Sequence, residues 1–232
     1  YAGDGHVIKM TVKKSELLDD INEPLGEEYI YRKPQRPLTE FEQAHLTAQR
    51  NAALPVNQGG LGLAPDNTAM DRARAMGFDT DNIMYHGTNK SFESFNPARG
   101  GIYFTDDKKL AGQYGKKKIE ALLNYGASVE KDAMGGGFND IENYQFLNDK
   151  TRRMRGDSSV VMKNFSDSPN PSVYSEPSTV AAINNPSQIR SPNAAFDPMQ
   201  RQSPNLLAQS AKLAPTTALG AYMYNEKRKK SQ

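Results

Sequence analysis

The chain has 232 residues, with 29 Lys and Arg against 27 Asp and Glu, and it contains no cysteine. This length suits one main domain with appendages, or two small domains. The absence of cysteine excludes disulfides, thiolate metal sites and a cysteine nucleophile. A formal net charge of +2 argues against a uniformly basic protein that wraps nucleic acid. No apolar run approaches the roughly 18 residues of a membrane span, and no signal-peptide pattern opens the chain.

The N-terminal part of the sequence is predicted to form two short segments. Residues 1–33 contain two strand-like stretches separated by Gly, Pro and acidic residues, so we expect a short β segment there. Because the chain starts at Tyr1 rather than at Met, we expect this segment to end an upstream domain of a longer protein. Residues 34–64 are predicted to form a helix over 38–53, capped near Thr39, and then a linker rich in Gly and Pro.

Residues 65–198 combine helical and strand patterns, which predict an α+β domain. Capping residues such as Thr68 and terminal glycines such as Gly77 mark the ends of helices. The predicted helices are 68–76, 107–114 and 140–153, and the predicted strands are 83–87, 101–104, 158–163 and 179–184. Residues 116–125 are ambiguous, because their apolar positions fit both helical spacing and strand alternation.

The C-terminal tail, residues 199–232, carries six basic residues and one acidic residue. Pro204, Pro215 and Gly220 interrupt its apolar pattern, so we expect the tail to bury little surface against residues 65–198. Its basic end is either a solvated extension or an anchor onto an acidic partner or a nucleic-acid backbone.

Several common catalytic patterns are absent from the sequence. The three histidines lie far apart, without the i,i+3 or i,i+4 spacing of a helical metal site, so we expect no metal centre. There is no G-x-x-x-x-G-K-[ST] loop for a nucleoside triphosphate and no G-x-S-x-G nucleophile elbow. P-loop enzymes and hydrolases of the elbow type are therefore excluded.

One segment combines a histidine, a tyrosine and glycines at two predicted strands. His86 ends the first strand beside Gly87, and Tyr103 lies in the second strand after two glycines. An imidazole, an aromatic face and accessible backbone could bind a flat heteroaromatic ligand and a ribose. The alternative interpretation is that His86 and Tyr103 are ordinary sheet residues with satisfied hydrogen bonds.

Several short motifs follow one another in order between residues 62 and 198. They are Thr68 to Phe78, Tyr85-His86-Gly87-Thr88, Phe92 with Phe95, Gly101-Ile102-Tyr103-Phe104-Thr105, Ala111 with Tyr114, Asp157 to Phe165, and Asn185 to Ser191. This ordered set resembles the mono-ADP-ribosyltransferases of the His-Tyr-Glu, PARP-like class. Within that class it is most similar to the ADP-ribosyltransferase domains of phage and prophage polyvalent proteins.

The resemblance implies an α+β fold with an ADP-ribosyltransferase-like split core of two sheets and short helices. NAD would be held as a co-substrate in the cleft between the sheets, and residues 117–124 would form a strand. His86 would hold the ribose of the nicotinamide half, Gly87 would offer backbone contacts to the nicotinamide amide, and Tyr103 would stack on the nicotinamide ring. The remaining residues expected at the NAD site are Thr88 and Thr105.

The third motif of the family departs from its usual pattern in this sequence. Aligning Gln188-Ile189 with the end of the family's strand puts the catalytic glutamate position at residues 178–180, which are Ser, Thr and Val. That glutamate would stabilise the developing oxocarbenium ion, so a neutral residue implies slower, single transfers or an inactive domain that only binds. The nearest carboxylate, Glu176, is the remaining candidate for the third catalytic group.

Two functional hypotheses follow from the resemblance. In the first, the chain belongs to a phage protein that cleaves NAD and transfers ADP-ribose to a host protein or nucleic acid. In the second, it belongs to a virion structural or ejection protein in which the transferase fold is inactive and serves packing or binding. Residues 1–60 and 199–232 would then contact other virion proteins. Either hypothesis places the protein in the virion or the host cytoplasm.

Overall fold

The computed structural model describes residues 37–96, 101–169 and 175–208, and the described residues from Glu40 onward belong to one compact unit. The β segment expected over residues 1–33 lies outside the described residues. The helices of the described part are α1 (Glu40–Ala53), α2 (Ala69–Ala75), α3 (Lys108–Tyr114) and α4 (Ile141–Arg153), with 3-10 turns at Val56–Gln58, Pro186–Gln188 and Pro198–Gln200. None of these helices is long and apolar enough to cross a lipid bilayer.

The described strands are β1 (Met84–Thr88), β2 (Ile102–Thr105), β3 (Lys117–Leu123), β4 (Ala127–Asp132), β5 (Ser158–Phe165), β6 (Ser178–Ile183) and β7 (Ile189–Arg190). They form one connected mixed sheet in the order β4-β5-β6-β2-β1-β3-β7, not two separate sheets. β4 and β5 are parallel, and all other neighbours are antiparallel. The expected α+β class is therefore confirmed.

Side-chain caps explain where three of the helices begin. The Thr68 hydroxyl accepts from the Asp71 backbone N–H, and the Asp71 carboxylate accepts from the Thr68 N–H, which forms a capping box before α2. Asp107 and Asp140 accept from the first backbone N–H groups of α3 and α4. The positions predicted for all four helices and for β1, β2, β5 and β6 are confirmed to within about two residues.

Apolar clusters cover both faces of the sheet. In β6, Val180 and Ala182 pack in the cluster that includes Leu147 of α4, whereas Ala181 and Ile183 pack in the cluster on the opposite face. Successive side chains of a strand point to opposite faces, so a strand covered on both sides has a nearly continuous apolar sequence. This burial on both faces places β6 at the centre of the fold.

The ambiguous stretch 116–125 contains a strand, β3, which pairs with β1 and β7. Ala121 and Leu123 pack in the cluster under β1 and β2, and Leu122 packs with α2 in a third cluster. The end of β3 is therefore buried on both faces. Such a run shows no alternation of polar and apolar residues, and its apolar spacing also fits a helix. The sequence pattern alone therefore could not distinguish a strand from a helix.

The expectation that the C-terminal tail buries little surface is wrong at Leu206 and Ala208, which are buried, whereas most of residues 199–208 are exposed or half-buried. Leu206 is only 9% exposed and packs in the cluster under β1 and β2. Its backbone N–H donates to the Glu93 carbonyl, and its own carbonyl accepts from the Ser191 N–H. An irregular segment can dock through one side chain and a few backbone hydrogen bonds, and it needs no apolar periodicity to do so. The rest of the tail lies outside the described residues.

We expect Leu206→Ala to lower the free energy of unfolding by about 2 kcal/mol, because it removes buried methyl groups and leaves a cavity. Leu207→Ala is the matched control, since the neighbouring Leu207 is partly exposed and lies in none of the buried clusters. Chemical denaturation of both variants measures the difference. Equal, small losses would show that residue 206 does not anchor the segment.

Candidate functional site

β1 and β2 are neighbours in the middle of the sheet, but they pair over a very short distance. Tyr85 pairs with Thr105, and the described residues show no further pair between the two strands, whereas β1 and β3 pair over five positions. Residues of both strands line a cavity of about 630 Å³ beyond this junction. Its volume lies within the roughly 300–1,000 Å³ that is usual for small-molecule sites.

His86 bridges the two strands where their backbones no longer pair. Its Nδ1 lies 2.8 Å from the Tyr103 carbonyl oxygen, and because a carbonyl can only accept, Nδ1 carries the proton and donates. Burial lowers the pKa of His86 and outweighs the opposing effect of this hydrogen bond, so the ring is neutral at pH 7. Nε2 is then a hydrogen-bond acceptor, and the described residues offer it no partner.

Three phenylalanines hold the imidazole in this orientation. The rings of Phe95 and Phe92 meet it edge-on, with centroid distances of 4.9 and 6.4 Å, and Phe104 lies 5.6 Å away. All three rings line the same cavity as His86. The imidazole is therefore fixed by packing on its faces and by the Tyr103 carbonyl at one nitrogen.

Aromatic rings make up much of the cavity wall. Tyr103 is 40% exposed, although its neighbours Ile102 and Phe104 are buried. Tyr114 of α3 and Phe138 are similarly exposed and line the same space, and Phe165 holds Phe138 edge-on at 5.0 Å. Partly exposed rings around one concave space suit a flat, ring-shaped ligand.

Gly87 allows α3 to pack directly on β1. A Cβ atom at this position would overlap the Ala111 carbonyl oxygen and would lie 3.0 Å from the Tyr114 Cβ. Any larger residue at position 87 would therefore push α3 away from the strand. This close approach is what brings Tyr114 to the cavity.

The other expected site residues divide into two groups. Thr105 lines the cavity, but its hydroxyl already donates to the Ser178 hydroxyl at 3.2 Å and accepts from the Asp107 N–H at 3.1 Å. Thr88 and Glu176 are not among the described residues that line it, and Glu176 is exposed to solvent. The structure thus brings together His86, Gly87, Tyr103 and Thr105, but not Thr88 or Glu176.

The carboxylate that does reach the cavity is Asp167, which follows β5. It is 7% exposed, and its Oδ1 accepts a hydrogen bond of 2.6 Å from the Tyr114 hydroxyl. Val180, at the position expected for the family's glutamate, also lines the cavity and offers only an apolar side chain. Sequence reasoning missed Asp167 because it lies in a stretch rich in Ser, Pro and Asn that predicts only a loop.

The charge of Asp167 affects both tyrosines at the cavity. Burial raises the pKa of Asp167 itself, against the effect of the hydrogen bonds from the Tyr114 hydroxyl and the Ser168 backbone N–H. Burial, together with the negative charge of Asp167, raises the pKa of Tyr103 and also that of Tyr114. Both phenols therefore remain protonated at neutral pH. The Ala111…Tyr114 motif was the only sequence signal that pointed towards this side of the cavity.

The described residues contain no group of three or more His, Asp or Glu that could hold a metal ion. No protein-family model, curated protein or solved structure matches the chain. A functional interpretation therefore depends on the chemistry of the cavity and on the ordered motifs of the sequence.

Proposed function

We propose that the chain is an ADP-ribosyltransferase-like domain that binds NAD in this cavity. It would cleave the N-glycosidic bond of NAD and transfer ADP-ribose to a macromolecule, with nicotinamide as the leaving group. The observation that carries the proposal is the convergence of His86 and Tyr103 on one cavity between β1 and β2. The choice of NAD as the ligand comes from the motif resemblance. The phage origin and the host protein or nucleic acid as acceptor come from the same resemblance.

The state of His86 supports a role in holding a ribose. With Nδ1 donating to the Tyr103 carbonyl, the neutral ring has one free acceptor, Nε2. A ribose hydroxyl is a suitable donor for that nitrogen. The phenylalanines that contact His86 reduce the freedom of the ring, so little entropy would be lost when the hydrogen bond forms.

The short junction between β1 and β2 supports the family's split core as the finer description of the fold. Within the connected sheet, the single residue pair at this junction joins a four-stranded part, β4-β5-β6-β2, to a three-stranded part, β1-β3-β7. A ligand between these parts would contact backbone of β1 near Gly87 and the ring of Tyr103 on β2. Stacking of this kind contributes about 0.5–1.5 kcal/mol beyond the burial of apolar area.

A second candidate, a binding or packing module without turnover, is favoured by one specific observation. Val180 replaces the glutamate expected near residues 178–180, and Glu176 does not line the cavity. Loss of one stabilising group at the developing charge costs about 10²–10³ in rate by analogy with oxyanion-hole variants. In this candidate the chain is part of a virion structural or ejection protein, and the cavity binds NAD or a related ligand without cleaving it.

The test measures NAD binding by calorimetry and nicotinamide release by chromatography, with wild-type protein and two variants. We expect His86→Ala to weaken NAD binding about tenfold, since one hydrogen bond to a buried acceptor is lost, and to abolish any nicotinamide release. His45→Ala is the matched control, because His45 lies on α1 outside the cavity. It should bind NAD like the wild type.

Each pattern of results decides between the candidates. Binding and nicotinamide release that both depend on His86 would support the transferase. Binding that depends on His86 without release would support the inactive module. A wild-type chain that neither binds nor cleaves NAD would refute the proposal of an NAD site altogether.

A further inference from the structure

The cavity combines aromatic walls with a single buried charge. Asp167 is the only charged side chain among the described residues that line it. None of the ion pairs between described residues includes Asp167, and the two groups that donate hydrogen bonds to it, the Tyr114 hydroxyl and the Ser168 backbone N–H, are neutral. Neutral donors stabilise a buried carboxylate but do not neutralise its charge, which only a cationic partner does. No cationic group among the described residues therefore balances the charge of Asp167.

Asp167 is held in place from two sides. The Tyr114 hydroxyl of α3 donates to its Oδ1, as described above. On the other side, the Ser168 backbone N–H donates to the carboxylate, and the backbone N–H of the preceding residue, Ser166, donates to the Gly136 carbonyl at 3.1 Å. The carboxylate is thus fixed between α3 and the loop that leads to α4, close enough to Tyr103 for its charge to act on that phenol.

We propose that Asp167 makes the cavity selective for a flat ring that carries a positive charge. Aromatic faces attract cations through their quadrupole, and a nearby carboxylate adds direct attraction that is strong where water is excluded. The neutral His86 ring leaves no cationic group of the described lining to oppose this selection. The inference rests on the proposed function in one respect: the nicotinamide ring of NAD is such a cation, whereas the ring of NADH and free nicotinamide are neutral.

The selection has a consequence for the reaction. When the bond between the ribose C1′ and the ring nitrogen breaks, the electron pair stays on that nitrogen and nicotinamide leaves as a neutral molecule. The positive charge passes to the ribosyl carbon until a lone pair of the acceptor forms the new bond and the acceptor loses its proton to water. The leaving nicotinamide no longer has the charge that Asp167 attracts, so we expect the product to be held weakly.

The test compares two ligands that differ in charge but have the same ring, the N1-methylnicotinamide cation and neutral nicotinamide. Calorimetry with the full chain should show that the cation binds about 10- to 100-fold more tightly. Asp167→Asn keeps the shape of the side chain and an acceptor for Tyr114, but removes the charge. It should reduce the affinity for the cation to that for nicotinamide and should leave the affinity for nicotinamide within about threefold of the wild-type value. Asp149→Asn, an exposed carboxylate of α4 outside the cavity, is the control and should change neither.

Two further measurements keep the result independent of any folding defect in Asp167→Asn. Tyr114→Phe retains the charge of Asp167, so the preference for the cation should persist. Wild-type protein should also prefer NAD to NADH. A wild type without a charge preference, a wild type that binds neither small ring, or an Asp167→Asn variant that still prefers the cation would overturn the inference.

These outcomes separate the inference from the proposed function. A charge preference that depends on Asp167, in a chain that does not release nicotinamide from NAD, would leave the inference standing and refute the transferase. Cleavage of NAD that depends on His86, in a chain without a charge preference, would support the transferase and refute the inference about Asp167.

Discussion

Replacing Arg190 with alanine should lower the free energy of unfolding by about 3–5 kcal/mol, because buried carbonyl groups would lose their donor. The Arg190 side chain is fully buried at 0% exposure. Its Nη2 lies 2.7 Å from the Ser203 carbonyl oxygen and its Nη1 2.9 Å from the Ile189 carbonyl oxygen. Longer hydrogen bonds reach the carbonyls of Gln200, Arg201 and Pro186. The guanidinium therefore ties the segment that follows Pro198 to the end of the sheet.

No carboxylate pairs with Arg190 among the described residues, and burial lowers the pKa of its guanidinium to about 10. Arg190→Lys should be intermediate in stability, since an ammonium can donate only three hydrogen bonds. Arg201→Ala is the control, because its exposed side chain can be removed at a cost of about 0.5 kcal/mol or less. Urea denaturation of the three variants gives the comparison. If Arg190→Ala and Arg201→Ala unfold at the same urea concentration, the anchoring role is refuted.

Gly87→Ala should lower the free energy of unfolding by about 3 kcal/mol or more, because the new methyl group would overlap the Ala111 carbonyl and force α3 away from β1. Tyr114 would move with α3, so its hydrogen bond to Asp167 should be lost as well. The proposed NAD binding should fall together with stability in this variant, because Tyr114 lines the cavity. Thermal unfolding and NAD calorimetry measure the two effects.

Gly112→Ala is the matched control for Gly87→Ala, because it adds the same methyl group to α3 itself. The nearest atoms to a Cβ at Gly112 belong to the flexible Lys118 side chain, at 3.4 Å or more. An alanine there should stabilise the helix by about 0.5–1 kcal/mol through its higher helix propensity. A Gly87→Ala variant that also gains stability would show that β1 and α3 can separate without cost.

The sequence was sufficient for the elements whose signals are local. The caps at Thr68, Asp107 and Asp140 and the apolar runs of β5 and β6 depend on neighbouring residues, so their positions were predicted to within about two residues. The strand β4 was not predicted, because all but one of its residues are exposed and it shows no apolar face. It exists as the parallel partner of β5, which is a tertiary relation.

In the candidate site, too, local sequence signals identified some residues, whereas tertiary packing determined others. His86, Gly87 and Tyr103 were found because glycines beside predicted strands carry a local signal, and they do line one cavity. The expected strand end at His86 is wrong, because His86 is the middle residue of β1. Glu176 was chosen for its proximity in sequence to the expected glutamate position. Asp167 lies in a loop without any pattern, and only the packing of α3 against that loop brings its carboxylate beside Tyr114.

Local sequence thus determined the α+β class, the helix starts and the pair formed by His86 and Tyr103, because capping, periodicity and glycine positions act within a few residues. The motif resemblance implied that β3 is a strand, but only the tertiary structure shows that β3 pairs with β1 and β7. It also shows that Leu206 and Arg190 attach the chain after Pro198 to the core, and that Asp167 is the charged residue among the described residues that line the cavity. Each of these depends on contacts between residues far apart in the sequence. No local pattern encodes such contacts, because the hydrogen-bond or packing partner of a buried side chain is brought to it only when the sheet and helices pack together.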